Sequence, residues 1–157
     1  MKSGREVFEH YKNWYREYTS ADFSAVEVQA KSLVRLSDDG EENPDSLHGK
    51  KVCLFCGIGI PEGFRHLVAT LGIVMIGEIV YPDHHTYRGQ DLENLKNLFR
   101  KEDADCFLTT MKDAARLSGS NKGRVFMNEF PVYGLAINID FVFGKETFHQ
   151  HLDRLFT

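Results

Sequence analysis

Residues 51–87 read KVCLFCGIGIPEGFRHLVATLGIVMIGEIVYPDHHTY, and the order of patterns in this stretch decides the fold. Lys51 to Cys56 is a short apolar run that stops at a glycine-rich turn, Gly57-Ile58-Gly59-Ile60, followed by Pro61. From Pro61 to Leu71 the residues Phe64, Leu67, Val68 and Leu71 recur at helical spacing, and Gly72 stops the helix. Residues 73–80 form a second short apolar run, closed by Tyr81-Pro82. A strand, a helix and another strand in that order make one right-handed βαβ unit with parallel strands.

The alternation continues toward the C-terminus. A helix is predicted near 89–101, with Leu92, Leu95, Leu98 and Phe99 inward. A strand over 105–109, a short helix closing at Gly119 and a strand over 124–127 follow. Next come a longer strand near 133–142 and a final helix over 145–156 that carries Phe148, Leu152, Leu155 and Phe156. Toward the N-terminus, Ser37 to Ser46 is acidic, holds Gly40 and Pro44, and reads as a loop. Residues 25–36 alternate between apolar and polar as a half-buried strand does. Residues 5–18 read as a helix with Phe8, Tyr11, Trp14, Tyr15 and Tyr18 on one stripe, a packing face or a docking face for a membrane surface or partner. The expected fold is α/β: a three-layer, Rossmann-like, mostly parallel sheet of four or five strands with helices on both faces. The last long strand is the candidate for an antiparallel edge. Two segments are expected: an aromatic helix with its lead-in over 1–24, and one α/β domain over 25–157.

Composition narrows the function classes. With 157 residues, 42% apolar and 27% charged, the chain can bury a core and is not a disordered segment. A net charge of −4 and a pI near 6.0, with no recognition motif, argue against nucleic-acid binding. Cys53 and Cys56 lie three apart inside a strand, so they point to opposite faces and read as buried, reduced thiols rather than a redox pair. Residues Met1 to Glu6 lack the apolar core of a signal peptide. The most apolar stretch, Leu71 to Tyr81, contains Glu78 and is too short to span a bilayer. The chain therefore reads as soluble and cytoplasmic.

Ligands of open α/β sheets bind outside the carboxyl ends of the strands, and three polar motifs fall there. In the first, Gly57 and Gly59 allow a tight turn whose free N–H groups could hold an anion, or which serves only to turn the chain. The second is Asp83-His84-His85, where a histidine beside an acid can move a proton or orient a hydroxyl. A solvated loop is the bland alternative, and a metal site lacks further ligands at suitable spacing. The tripeptide resembles that of the DHH phosphoesterases, but their other aspartate motifs are absent. The third is Thr109-Thr110-Met111-Lys112-Asp113. Thr110 and Asp113 read as a capping box, and Lys112 is left to meet a phosphate.

Taken in order, G-I-G-x-P-E-x-F at Gly57 to Phe64, Leu71-Gly72, P-D-H-H-x-Y at Pro82 to Tyr87, Asp91-Leu92 and T-T-x-K-D-A-x-R-L at Thr109 to Leu117 resemble the C-terminal half of the tetraacyldisaccharide 4'-kinase family. The resemblance covers residues 25–130 well and the remainder loosely. It implies a two-domain enzyme of lipid A synthesis that moves the γ-phosphoryl of ATP, with Mg²⁺, to the 4' hydroxyl of an acylated disaccharide. The partner it implies is an N-terminal phosphate-binding-loop domain, and the place of work is the cytoplasmic face of the bacterial inner membrane. It gives His84 the part of assisting a catalytic aspartate of that domain, with Asp83 orienting His84. Gly57, Gly59, His85, Thr109, Thr110 and Lys112 become candidates for holding substrate or phosphate, and Asp113 a helix cap. No G-x-x-x-x-G-K-[ST] occurs in this sequence, so neither ATP nor Mg²⁺ is expected to bind this chain alone, and the isolated chain is expected to be inactive. Two further departures are Met111 where the family has glutamate and Ile60 where it has asparagine. The alternative is a non-catalytic module that binds a phosphorylated or sugar ligand, or a regulatory partner.

Overall fold

The computed structural model describes residues 4–156, with side chains from Phe8 onward. Met1 to Ser3, part of the stretch read above for a leader, lie outside the described residues. The elements run α1 (Gly4–Arg16), β1 (Ala25–Arg35), β2 (Gly40–Glu42), a 3-10 turn (Pro44–Leu47), β3 (Lys51–Cys56), α2 (Pro61–Ala69) and β4 (Val74–Val80). They continue with α3 (Gly89–Glu102), β5 (Cys106–Thr110), α4 (Met111–Ser118), α5 (Asn121–Glu129), β6 (Val132–Phe143) and α6 (Lys145–Leu155). The sheet has six strands in the order β2-β1-β6-β5-β3-β4. The pairs β3–β4, β3–β5 and β5–β6 are parallel, and β1–β2 is antiparallel at one edge.

Two compact units divide the chain: Ala30–Ile137, and the segments up to Gln29 and from Asn138 onward. The larger unit carries the three polar motifs. Strands β3 and β5 are buried on both sides, as the alternation of side chains along them dictates. Cys53, Phe55 and Phe107 join Leu92, Leu95, Leu117, Phe126 and Val132 on one face, under α3, α4 and α5. Val52, Leu54, Cys56, Cys106 and Leu108 join Phe64 and Val68 of α2 on the other. Cys53 and Cys56 thus lie on opposite faces, free and buried, with their thiols pushed up to about 11 by burial. Each fully buried Phe or Leu here contributes roughly 1.5–3 kcal/mol.

Three expectations need correction. Residues 124–127 are not a strand but part of α5. The hydroxyl of Ser120 accepts from the Gly123 N–H (3.0 Å) and starts a helix, which buries Phe126 while leaving Val125 exposed. A run as short as Val125 to Met127 carries no period that separates helix from strand. The sheet has six strands rather than four or five, because Gly40–Glu42 folds back on β1 with an ion pair between Arg35 and Glu42. The last long strand, β6, lies between β1 and β5, parallel to β5, and the antiparallel edge belongs to β1 and β2.

In the smaller unit, Phe8 stacks near Phe143 (4.5 Å between centroids) and Tyr15 meets Phe23 edge-on (5.1 Å). Ser24 donates to the Gly144 carbonyl (3.0 Å). Part of the aromatic stripe of α1 is therefore a packing face, whereas Trp14 and Tyr18 remain largely exposed.

Two glycines make the packing testable. A Cβ on Gly123 would sit 1.9 Å from the Leu117 carbonyl oxygen, a backbone atom that cannot swing aside. A Cβ on Gly63, inside α2, meets nothing within 4 Å. Gly123→Ala should therefore lose at least about 2 kcal/mol and lower Tm by roughly 4 °C or more. Gly63→Ala should gain about 0.5–1 kcal/mol from helix propensity. Calorimetry of the two variants decides it, and an unchanged Gly123→Ala protein would refute the packing.

Candidate functional site

The site is built from the first turn of α4. Thr110 ends β5 in an extended conformation, and its hydroxyl accepts from the Asp113 N–H (3.1 Å), starting the helix as a cap does. The carboxylate of Asp113 does not reach back to the Thr110 N–H, the other half of the expected capping box. It accepts instead from the Thr110 hydroxyl (2.7 Å), the Gly57 N–H (3.1 Å) and Arg116 Nη1 (2.8 Å). Asp113 is fully buried. A buried carboxylate is tolerable only when paired and saturated with donors, and here it is both.

Arg116, one turn on along α4, faces the same way as Asp113. Its Nη1 also donates to the Gly57 carbonyl (2.7 Å), and its Nη2 lies 3.2 Å from Nδ1 of His84. Gly57 is clasped at both its N–H and its C=O, and a Cβ there would lie 3.0 Å from Cβ of His85 and 3.2 Å from the Pro82 carbonyl. Only glycine allows the β3 turn this close to the loop after β4.

That loop carries Asp83 and His84. His84 takes a left-handed backbone (φ 58°), uncommon for a residue with a side chain. Its N–H is held by the Gly57 carbonyl (3.2 Å) and Oδ1 of Asp83 (2.9 Å). The His84 ring is 83% exposed, with Nε2 at 3.6 Å from Oδ2 of Asp83. Gly59 faces the same carboxylate, where a Cβ would sit 3.2 Å from Oδ2.

The structure therefore brings together Gly57, Gly59, Asp83, His84, Thr110 and Asp113, while the polar groups of the remaining candidates are not bonded into that cluster. His85 turns inward, stacked on Tyr81 (4.4 Å, 12°) and edge-on to Tyr87 (5.2 Å). Its Nε2 is 3.0 Å from Oδ2 of Asp91 but out of line for a hydrogen bond. Burial, and then the Asp113 carboxylate, push the Tyr87 phenol well up. Thr109 is buried and spends its hydroxyl on the Phe55 carbonyl (2.7 Å). Lys112 is exposed in the first turn of α4 and has no ion pair among the described residues. The Gly57 N–H, expected free for an anion, is occupied by Asp113. Among the described residues no group of three His, Cys, Asp or Glu side chains could hold a metal. No helix among them is long and apolar enough to cross a membrane.

Sequence reasoning passed over Arg116, although it stands inside the Thr109-to-Leu117 motif; its signal was the three-residue spacing from Asp113. The two departures acquire local settings. Ile60 occupies the N-cap of α2, is 73% exposed and offers no side-chain acceptor. Met111 lays its sulfur over Gly134 of β6, where a Cβ would come within 2.6 Å of it.

A family model described as tetraacyldisaccharide-1-P 4'-kinase matches residues 5–157. Among curated relatives, a tetraacyldisaccharide 4'-kinase of Halothermothrix orenii is 32% identical over 124 residues, 78% of this chain and 32% of that protein. One of Methylobacterium radiotolerans is 40% identical over 98 residues, 62% of this chain and 28% of that protein. One of Syntrophus aciditrophicus is 33% identical over 94 residues, 60% of this chain and 25% of that protein. The chain thus spans about a quarter to a third of the length of these relatives. A crystal structure of LpxK from Aquifex aeolicus, described as an "apo" form in complex with ATP, superposes with a TM-score of 0.53 at 24% identity. It covers 91% of this chain and 41% of that one, and supports the fold.

The geometry sets two opposite stability changes. Asp113→Ala leaves Arg116 and the Gly57 N–H unpaired and should cost about 3–5 kcal/mol. Ile60→Asn supplies the missing cap of α2 and should gain about 0.5–2 kcal/mol. Urea titrations of both variants check this; equal midpoints for wild type and Asp113→Ala would contradict the carboxylate's role.

Proposed function

This chain belongs to the tetraacyldisaccharide-1-P 4'-kinase family, and from that premise we propose that it is the C-terminal domain of a lipid A 4'-kinase. The complete enzyme would transfer the γ-phosphoryl of ATP to the 4' hydroxyl of tetraacyldisaccharide 1-phosphate at the cytoplasmic face of the bacterial inner membrane. The described residues do not fit a nucleotide or Mg²⁺ site of their own. The Gly57 N–H is spent on Asp113, and no phosphate-binding-loop sequence occurs among the 157 residues. In this proposal ATP and Mg²⁺ belong to an N-terminal phosphate-binding-loop domain, matching the greater length of the relatives.

The observation that carries the reading is the setting of His84. An exposed imidazole is held by its backbone N–H, by Asp83 and by Arg116, at the carboxyl end of the strands. Arg116 has only donors, so Nδ1 of His84 accepts and the proton of the neutral ring sits on Nε2, on the side of Asp83. A ring so presented can assist an aspartate of the other domain as that carboxylate takes the proton of the 4' hydroxyl. Asp83 helps orient the residue, through its bond to the His84 N–H and its place beside Nε2. Gly57, Thr110 and Asp113 support it from below. Gly59 leaves room for Asp83, and Lys112 is the exposed cation available for a substrate phosphate. Thr109 and His85, enclosed by sheet and aromatic rings, act on the site through packing.

The test is steady-state kinetics in a full-length relative, or in this chain fused behind a phosphate-binding-loop domain. His84→Asn keeps a residue that tolerates the left-handed backbone. It should lower kcat about 10²–10⁴-fold with KM little changed. His85→Ala should act more mildly on kcat. The 157-residue chain alone should neither hydrolyse ATP nor phosphorylate the disaccharide. Near wild-type kcat for His84→Asn would remove this residue from the mechanism. Metal-dependent turnover by the isolated chain, abolished by His84→Asn, would overturn the division of labour.

A further inference from the structure

Arg116 spans the distance between a fully buried group and a largely exposed one. One of its terminal nitrogens is locked inside, on Oδ1 of Asp113 (2.8 Å) and the Gly57 carbonyl (2.7 Å). The other lies 3.2 Å from Nδ1 of His84, whose side chain is 83% exposed. The guanidinium is planar and rigid, so fixing Nη1 also fixes where Nη2 points. Among the described residues no other group bonds Nδ1: the contact of Asp83 with the ring is at Nε2, at the longer distance of 3.6 Å. The His84 backbone is tied down independently, through its N–H to Gly57 and Asp83. Backbone ties leave χ1, χ2 and the tautomer of the ring free, and these are what Arg116 sets.

We propose that Arg116 is a positioning residue that fixes the orientation and the tautomer of His84, keeping Nδ1 as acceptor and the proton on Nε2. The chemical part of the inference stands on geometry alone; its kinetic consequence rests on the part given to His84 above. Arginine is required rather than any cation. Lysine has one terminal nitrogen, and placed on Asp113 and Gly57 it leaves no second nitrogen to reach His84. Which ring nitrogen of a histidine carries the proton is set by the bond made at the other, so losing the Nη2 contact releases both tautomers.

The experiment has two arms. In the first, ¹⁵N-detected ring resonances of His84 are recorded in the 157-residue chain at a pH where the ring is neutral. Wild type should show one dominant tautomer, protonated at Nε2, and Arg116→Lys should show a mixture. Arg116→Lys keeps a cation for Asp113, and amide spectra check that its fold is retained. Should it fail to fold, Arg116→Gln serves, since it keeps donors for the carboxylate and removes the fork. In the second arm, the same substitutions enter a full-length relative with the matching arginine and histidine. There kcat should fall about 10–100-fold with KM unchanged, as for a misaligned group. Adding Arg116→Lys to His84→Asn should cost nothing further, because the arginine acts through the ring. An unchanged tautomer in the folded variant overturns the inference, and so does a loss that adds fully to that of His84→Asn. A shifted tautomer together with wild-type kcat for His84→Asn upholds the positioning and refutes instead the catalytic part given to His84.

Discussion

The turn after β3 and the start of α4, at the carboxyl end of this sheet, are tied together by one buried carboxylate. Taking Asp113 out of water costs several kcal/mol, and the cost is met only because three donors from different elements converge on it. Thr110 belongs to the end of β5, Gly57 to the turn after β3 and Arg116 to the second turn of α4. Remove the charge and three segments lose their common point. The same group thus caps a helix locally and joins distant loops globally.

From that anchor the rest of the edge follows by short steps. The clasp on Gly57 brings the β3 turn against the loop after β4, and the lack of a side chain at Gly57 makes the approach possible. The Gly57 carbonyl, already holding Arg116, also receives the His84 N–H and stabilises a left-handed backbone that costs about 1 kcal/mol for an ordinary residue. The strain is local, and it turns the imidazole outward instead of into the Tyr81–Tyr87 cluster that encloses His85. Two adjacent histidines thereby acquire opposite settings, one exposed and one packed, although they are the same residue type in one short loop. The bonds explain why His84 is the histidine presented.

Much of the fold was legible. β3 spans the expected residues because an uninterrupted apolar run, buried on both faces, has few other solutions. α3 and α4 follow from three-and-four spacing with clear stops, and the opposite placement of Cys53 and Cys56 follows from a period of two. Where short segments lack a period, the reading failed. The polar Gly40–Glu42 became a strand through pairing with β1, and Val125 to Met127 became helical because Ser120 capped them. The clustering of the Gly57 turn, His84 and Asp113 was foreseeable from their common position after parallel strands. What the sequence could not show was the direction of each polar bond. Asp113 looked like a local cap, the Gly57 N–H looked free, and Arg116 was passed over. These readings came from spacing along one element, whereas the bonds run between elements.

The central claim, that the Asp113 carboxylate holds the site through the Gly57 N–H, is tested most directly by amide hydrogen exchange. In the wild-type chain the Gly57 N–H should exchange only through openings as rare as those of the β3 core, although it lies in a turn. In Asp113→Asn its protection should fall by an order of magnitude or more relative to the amides of Leu54 and Phe55 in the same protein. A Gly57 N–H that exchanges in wild type as fast as an exposed loop amide would contradict the account, and so would one whose protection is unaffected by the substitution.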